Sequence, residues 1–125
     1  MTRYFLWATA LVFVGFGGWG LFDPDAMVAK FGIVLNDPNG RTLIRASYGG
    51  FLIGAGILFG WCASALERFR FGLVAIIALT LPILISRLLG LAIDGGNSAY
   101  HVGYILIELT GVAVATLLLR VGAKS

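Results

Sequence analysis

The chain has 125 residues, of which 59% are hydrophobic and only 12% are charged, and its mean hydropathy is +0.96. Soluble domains carry about 25% charged residues, so this composition excludes an ordinary soluble enzyme or binding domain. The formal net charge of +3 comes from basic residues at the borders of apolar segments, where membrane topology and anionic lipid account for them. We therefore expect no nucleic-acid partner.

Four apolar segments are long enough to cross a bilayer, which takes about 20 helical residues. They predict membrane spans at residues 4–22, 43–66, 71–93 and 100–119. Little chain remains for a soluble module. We predict an all-α fold, a four-transmembrane-helix bundle that forms a single integral membrane domain over residues 1–125, with a short interfacial helix between the first two spans.

The first span contains Gly15, Gly17 and Gly20 in the spacing G-x-G-x-x-G. In dinucleotide-binding sites this spacing follows a strand and begins a helix within an alternating strand–helix unit. No strand pattern precedes these glycines, so we interpret them as positions where another membrane helix approaches closely. No cofactor is expected.

The outer interfacial segment, residues 24–35, begins with a helix-start signal. Asp23 can cap a helix that has Pro24 in its first turn and Asp25 near the positive end of its dipole. We predict a short helix that stops at Gly32. Because it is too short to span, we expect it to lie at the membrane surface and to cover the charged residues of the later spans.

The second span opens with Arg45 and Tyr48, whose spacing places them on one helical face. Glycines in this span also have the small-xxx-small spacing that allows close helix packing. These pairs are Gly50 with Gly54 and Gly56 with Gly60.

The third and fourth spans each carry a charge at a similar distance from the turn that joins them. Arg87 lies seven residues before Asp94, and Glu108 lies eight residues after Tyr100. A rise of about 1.5 Å per residue places Arg87 and Glu108 at similar depth, roughly 10 Å inside the hairpin end. We predict an ion pair between them. Pro82 removes one backbone hydrogen bond and predicts a kink just before Arg87.

These residues form a predicted polar cluster in the outer half of the bundle. Its members are Arg45, Tyr48, Arg87, Asp94, His101, Tyr104 and Glu108. A charge at mid-helix costs about 2.5–3.5 kcal/mol on insertion scales, so a balanced set favours internal pairing. Three interpretations stay open: a neutral ion-pair cluster that fixes helix register, a polar pocket that binds an amphiphile head group or moves protons, or a contact with a partner chain.

No catalytic residue and no metal ligand is assigned. Histidine can take up a proton near neutral pH, but His101 lies close to an aqueous end and is interpreted as an ordinary interfacial histidine. His101, Asp94 and Glu108 do not have a recognised metal-ligand spacing, and arginines compete for the carboxylates. The single cysteine, Cys62, cannot form an intramolecular disulfide.

Basic residues in the loops predict the orientation. One side carries five of them and the other carries two, which favours cytoplasmic placement of both termini. The five are Arg3, Arg68, Arg70, Arg120 and Lys124, and the two are Lys30 and Arg41.

Four stretches together resemble the bacterial membrane family catalogued as domain of unknown function 4345. They are Leu21–Pro24 after span one, Arg45–Gly50 in span two, Ser86–Gly95 at the end of span three, and Glu108 in span four. The resemblance covers nearly the whole chain. It implies a small four-helix integral membrane protein of the bacterial inner membrane, and it implies no activity.

Three functions follow from these expectations. The first is a non-enzymatic accessory or interaction subunit of a larger membrane assembly, because little chain is left for a catalytic surface. The second is a binder or carrier of a small amphiphile, lipid or proton through an outward-facing polar pocket. The third is a lipid-modifying membrane enzyme. Membrane lipid is the expected partner, followed by other membrane-protein subunits.

Overall fold

The computed structural model describes residues 1–96 and 99–122. Within them the chain is helical and contains no strand. The helices are α1 (Thr2–Phe22), α2 (Pro24–Ala29), α3 (Pro38–Ile44), α4 (Phe51–Ala63), α5 (Phe69–Asp94) and α6 (Ala99–Arg120). A π-helical turn, Arg45–Gly50, joins α3 to α4, and a 3-10 turn, Leu66–Arg68, precedes α5. Asn97 and Ser98 of the predicted turn, and Lys124, lie outside the described residues.

Four helical segments are long and apolar enough to cross a membrane: Thr2–Phe22, Pro38–Ala63, Leu66–Asp94 and Ala99–Arg120. The predicted all-α, four-span architecture is therefore confirmed, and the protein is a multi-pass membrane protein. The second span, Pro38–Ala63, begins and ends earlier than the predicted residues 43–66. It begins at Pro38 because the Asp37 carboxylate accepts a hydrogen bond from the Asn39 amide at 2.7 Å, and it ends before Ala65, whose backbone is extended.

The interfacial helix is shorter than predicted. The Asp23 side chain caps α2 by accepting a hydrogen bond from the Ala26 amide at 3.2 Å. The helix ends at Ala29 rather than continuing as far as Phe31, just before Gly32. Gly32 follows with φ of +80°, a left-handed conformation that glycine adopts without strain. The residues between Ala29 and α3 are consequently free to turn back over the bundle.

The surface of the bundle is apolar, the reverse of a soluble protein. Large hydrophobic side chains point outward from all four spans, which is the arrangement expected where lipid is the solvent. Examples are Leu11 on α1, Ile57 on α4, Ile85 on α5 and Leu117 on α6.

Close helix contacts occur chiefly within two pairs, α1 with α4 and α5 with α6. Glycine allows the first pair to approach: a Cβ on Gly17 would lie 2.8 Å from the Gly49 carbonyl oxygen, and one on Gly56 would lie 2.8 Å from the Ala10 carbonyl oxygen. Gly17 thus belongs to a helix contact, in keeping with the packing interpretation of the glycine spacing. Gly15 and Gly54, by contrast, face open space.

The two pairs meet in one hydrophobic core, at the end of the bundle that carries the N-terminal end of α1 and the α4–α5 turn. All four spans contribute to it. Its fully buried side chains include Leu6, Phe59, Cys62, Phe69 and Leu73, with Ala115 from α6. Arg87 and Asp94 of α5, and Glu108 of α6, lie towards the opposite end.

Candidate functional site: a charged cluster beside a groove on α5

Arg87 on α5 and Glu108 on α6 form a direct ion pair. Arg87 Nη2 donates to Glu108 Oε1 at 2.8 Å, and Arg87 Nε lies 3.2 and 3.3 Å from the two carboxylate oxygens. The predicted pairing by depth is therefore what the structure shows. The pair is partly buried, with side-chain exposures of 19% for Arg87 and 11% for Glu108.

His101 and Tyr104 complete the cluster around the guanidinium group. Arg87 Nη1 lies 3.0 Å from His101 Nδ1. Since an arginine nitrogen only donates, Nδ1 accepts and the imidazole proton is on Nε2. The Tyr104 ring centroid is 5.1 Å from Arg87 Cζ, a cation–π distance. Four of the predicted site residues, Arg87, His101, Tyr104 and Glu108, thus form one contiguous cluster.

The segment after α2 covers this cluster on its α6 side. The Phe31 ring centroid lies 4.8 Å from that of His101 and 5.8 Å from that of Tyr104. A salt bridge of 2.9 Å between Asp25 and Arg41 ties α2 to α3. The hydrogen bond from Arg41 lowers the pKa of the Asp25 carboxyl below its ordinary value. The covering segment is therefore anchored at both of its ends.

Lys30 lies in a cage of aromatic rings that the sequence did not reveal. Its Nζ lies 3.8 Å from the Trp19 ring centroid, 5.0 Å from that of Tyr100 and 5.5 Å from that of Tyr104. It also donates to the Tyr104 hydroxyl at 3.3 Å. By sequence, Lys30 is only a loop charge. Similar depth is the signal that indicates this contact, because Trp19, Tyr100 and Tyr104 all stand near the same ends of their spans.

Arg45 and Tyr48 do not join the cluster. Arg45 donates from Nη1 to the Leu21 carbonyl oxygen at the end of α1, and the Tyr48 side chain is 50% exposed. Both stand in the π-helical turn, whose wider spacing rotates side chains away from the face that α-helical periodicity predicts. The expectation that the interfacial segment shields Arg45 is wrong, because Arg45 is exposed.

An open groove of about 550 Å³ runs along α5 beside the cluster. Polar and apolar residues share its wall: Pro82, Ile83, Ser86, Arg87, Gly90, Leu91, Asp94, Gly96 and His101. Asp94 lies here, exposed at the C-terminal end of α5, and has no ion-pair partner among residues 1–96 and 99–122. Asp94 therefore shares a groove, although not a contact, with Arg87.

The arrangement offers binding groups rather than metal ligands. In the described part of the chain, no three His, Cys, Asp or Glu side chains are grouped so that they could hold a metal ion. Glu108 is engaged by Arg87, which leaves Ser86, Asp94 and the outer edges of Arg87 and His101 to interact with a molecule in the groove. Such a set both donates and accepts hydrogen bonds.

Searches of curated proteins and of solved structures found no significant match to the chain. The model of the family described as Domain of unknown function (DUF4345) matches residues 1–119. This match covers nearly the whole chain and includes the charged cluster, α2 and the four spans. The protein belongs to the DUF4345 family.

Proposed function

We propose that this protein is a non-enzymatic membrane protein that binds a small amphiphile through the groove beside Arg87. The observation that carries the proposal is the groove itself: it is open, has a volume of about 550 Å³, and combines apolar with polar walls. Pro82 and Ile83 suit a hydrocarbon chain, while Ser86, Arg87 and Asp94 suit a polar head group. If the charged cluster served only to fix the register of the helices, no open groove would be needed beside it.

The charged cluster supports binding rather than catalysis. General base catalysis needs a carboxylate or imidazole nitrogen that is free to accept a proton from substrate. Here Arg87 engages both carboxylate oxygens of Glu108 and the Nδ1 of His101, so neither group in the cluster is free to accept one. The role that best suits this cluster is to hold the guanidinium group at the wall of the groove.

We place the protein in the bacterial inner membrane with both termini in the cytoplasm. The basic residues Arg3, Arg68, Arg70 and Arg120 occur near the ends of helices that meet at the hydrophobic core, and positive charge favours the cytoplasmic side. The groove then opens towards the outer leaflet. A reporter fused after Ser125 should be active in the cytoplasm and one inserted at residues 36–40 outside it; the reverse pattern would overturn this orientation.

An accessory subunit of a larger membrane assembly is the second candidate. It is favoured by an almost wholly apolar cleft of about 470 Å³ between α1 and α4. Trp7, Leu11, Ile57 and Trp61 are among its lining residues, and a partner helix could insert a large side chain there. A partner helix bound in this cleft would explain why apolar space is left open between α1 and α4. On this alternative, no ligand needs to occupy the groove beside Arg87.

Native mass spectrometry of the protein released from its own membrane distinguishes the two candidates. Amphiphile binding predicts a retained small molecule that Gly90→Leu removes, because a side chain at Gly90 projects into the groove. Gly111→Leu is the matched control, since Gly111 also faces open space but does not line the groove. Retained protein chains with no groove-dependent small molecule would favour the accessory subunit and overturn the binding proposal.

A further inference from the structure

We propose that the amphiphile is a zwitterionic phospholipid, with its phosphate beside Arg87 and His101 and its terminal ammonium beside Asp94. This inference rests on the proposed function, because it names the ligand class of the same groove. It follows from the order of chemical groups along α5, from the hydrogen-bonding capacity left at Arg87, and from the isolation of Asp94.

The groove changes character along the axis of α5. The part nearest the membrane interior is apolar and is lined by Pro82 and Ile83. Arg87 and His101 line the next part, and Asp94 lies at the C-terminal end of the helix. Arg87 and Asp94 are about 10 Å apart along the axis at 1.5 Å per residue. From the membrane interior outward, the groove thus presents an apolar wall, a cation and an anion. A zwitterionic phospholipid presents the complementary sequence of acyl chain, phosphate and ammonium.

Arg87 keeps donors for an anion after its internal contacts are made. A guanidinium group carries five N–H bonds. Nε and Nη2 bind Glu108 and Nη1 binds His101, which uses one N–H on each nitrogen and leaves two for a ligand. Because Arg87 donates to His101 Nδ1, the Nε2–H of His101 is a further donor. Arginine with a second donor is a common arrangement for phosphate recognition.

Asp94 brings a negative charge, unpaired in the described part of the chain, to the outer end of the groove. It is exposed at the C-terminal end of α5, where the helix dipole is negative and disfavours a carboxylate. Among the described residues no basic side chain pairs with it. Since Glu108 already compensates the charge of Arg87, a purely anionic head group would meet the uncompensated charge of Asp94. An ammonium group on the same head group removes that conflict.

The test compares two lipids that share acyl chains and a phosphate and differ in the terminal group. Purified protein is equilibrated with equal amounts of phosphatidylethanolamine and phosphatidylglycerol, and the bound lipid is counted by native mass spectrometry. We expect the wild type to retain the ethanolamine lipid about two- to fivefold more, the range for one exposed ion pair. Asp94→Asn should abolish this preference, whereas Glu67→Gln, on an exposed turn at the other end, should not.

The outcomes separate this inference from the proposed function. Suppose that Gly90→Leu removes the bound lipid, but that the wild type prefers neither lipid or keeps its preference in Asp94→Asn. This result would overturn the zwitterion assignment and leave amphiphile binding in place. Equal retention by the wild type and Gly90→Leu would overturn both. Melting temperatures of Asp94→Asn and Gly90→Leu close to that of the wild type would show that each variant reports on binding and not on folding.

Discussion

At the end of the bundle near the α4–α5 turn, apolar side chains from all four spans pack directly against one another, with Leu6, Phe59, Phe69 and Leu73 fully buried. At the opposite end, aromatic rings and charged groups mediate much of the contact between the two helix pairs, and a groove opens beside Arg87. The first arrangement needs no other molecule to account for it. The second leaves space and unused hydrogen-bonding groups, which is why we assign function to that end.

The largest expected effect lies in the charged cluster. Glu108→Ala leaves Arg87 without its carboxylate partner in a partly buried site, and removing one partner of a buried pair typically costs about 3–5 kcal/mol. The partial burial puts our expectation near the lower limit. The free energy of unfolding in detergent is the measurement, with Glu67→Ala as the exposed control.

A double-mutant cycle sharpens this prediction. Arg87→Ala combined with Glu108→Ala should cost less than the sum of the two single changes, because each single change strands a charge that the double change removes. Simple additivity would show that the two side chains do not stabilise each other despite their 2.8 Å contact.

The two ends can be compared directly by replacing glycine with alanine at one position near each end of α5. A Cβ on Gly72 would lie 2.8 Å from Cys62 Cβ, whereas one on Gly90 would meet nothing within 4 Å. Gly72→Ala should therefore destabilise the protein by about 1–3 kcal/mol through overpacking. Gly90→Ala should be neutral or slightly stabilising, because alanine favours helix. Equal thermal stabilities of the two variants would contradict the difference between the ends.

A smaller effect is expected at Lys30. Lys30→Met removes the cation from the rings of Trp19, Tyr100 and Tyr104, and such interactions contribute about 0.5–2 kcal/mol. Lys30→Arg should retain much of this stability. Arg70→Met, at the other end, is the control for loss of a basic residue. If Lys30→Met melts at the wild-type temperature, the cage does not hold the covering segment.

The smallest effect concerns the exposed pair of Asp25 and Arg41. Arg41 lowers the pKa of the Asp25 carboxyl in the folded protein, so the pair stabilises the fold above the unfolded pKa of Asp25. That contribution is lost as the pH falls through the lowered folded pKa. Asp25→Asn should remove this part of the pH dependence, measured as melting temperature from neutral to acidic pH. An unchanged acid slope would show that the pair does not stabilise α2.

Sequence alone determined the features that depend on local rules. The lengths of the apolar segments predicted four spans, and Asp23 with its following proline predicted a helix start that the structure confirms. The match between Arg87 and Glu108 was also predictable, because a short turn and a constant rise per residue equalise depth in adjacent helices.

Tertiary structure alone decided the features that join distant parts of the chain. Arg45 leaves the cluster because a π-helical turn rotates it towards the end of α1, a deviation that apolar periodicity does not encode. Lys30 enters its cage through contacts with rings as far along the chain as Tyr104. The groove exists because α5 and α6 pack together while the α1–α4 pair meets them chiefly at the other end. Helix rise and capping are properties of neighbouring residues, whereas these three features depend on which helix faces meet.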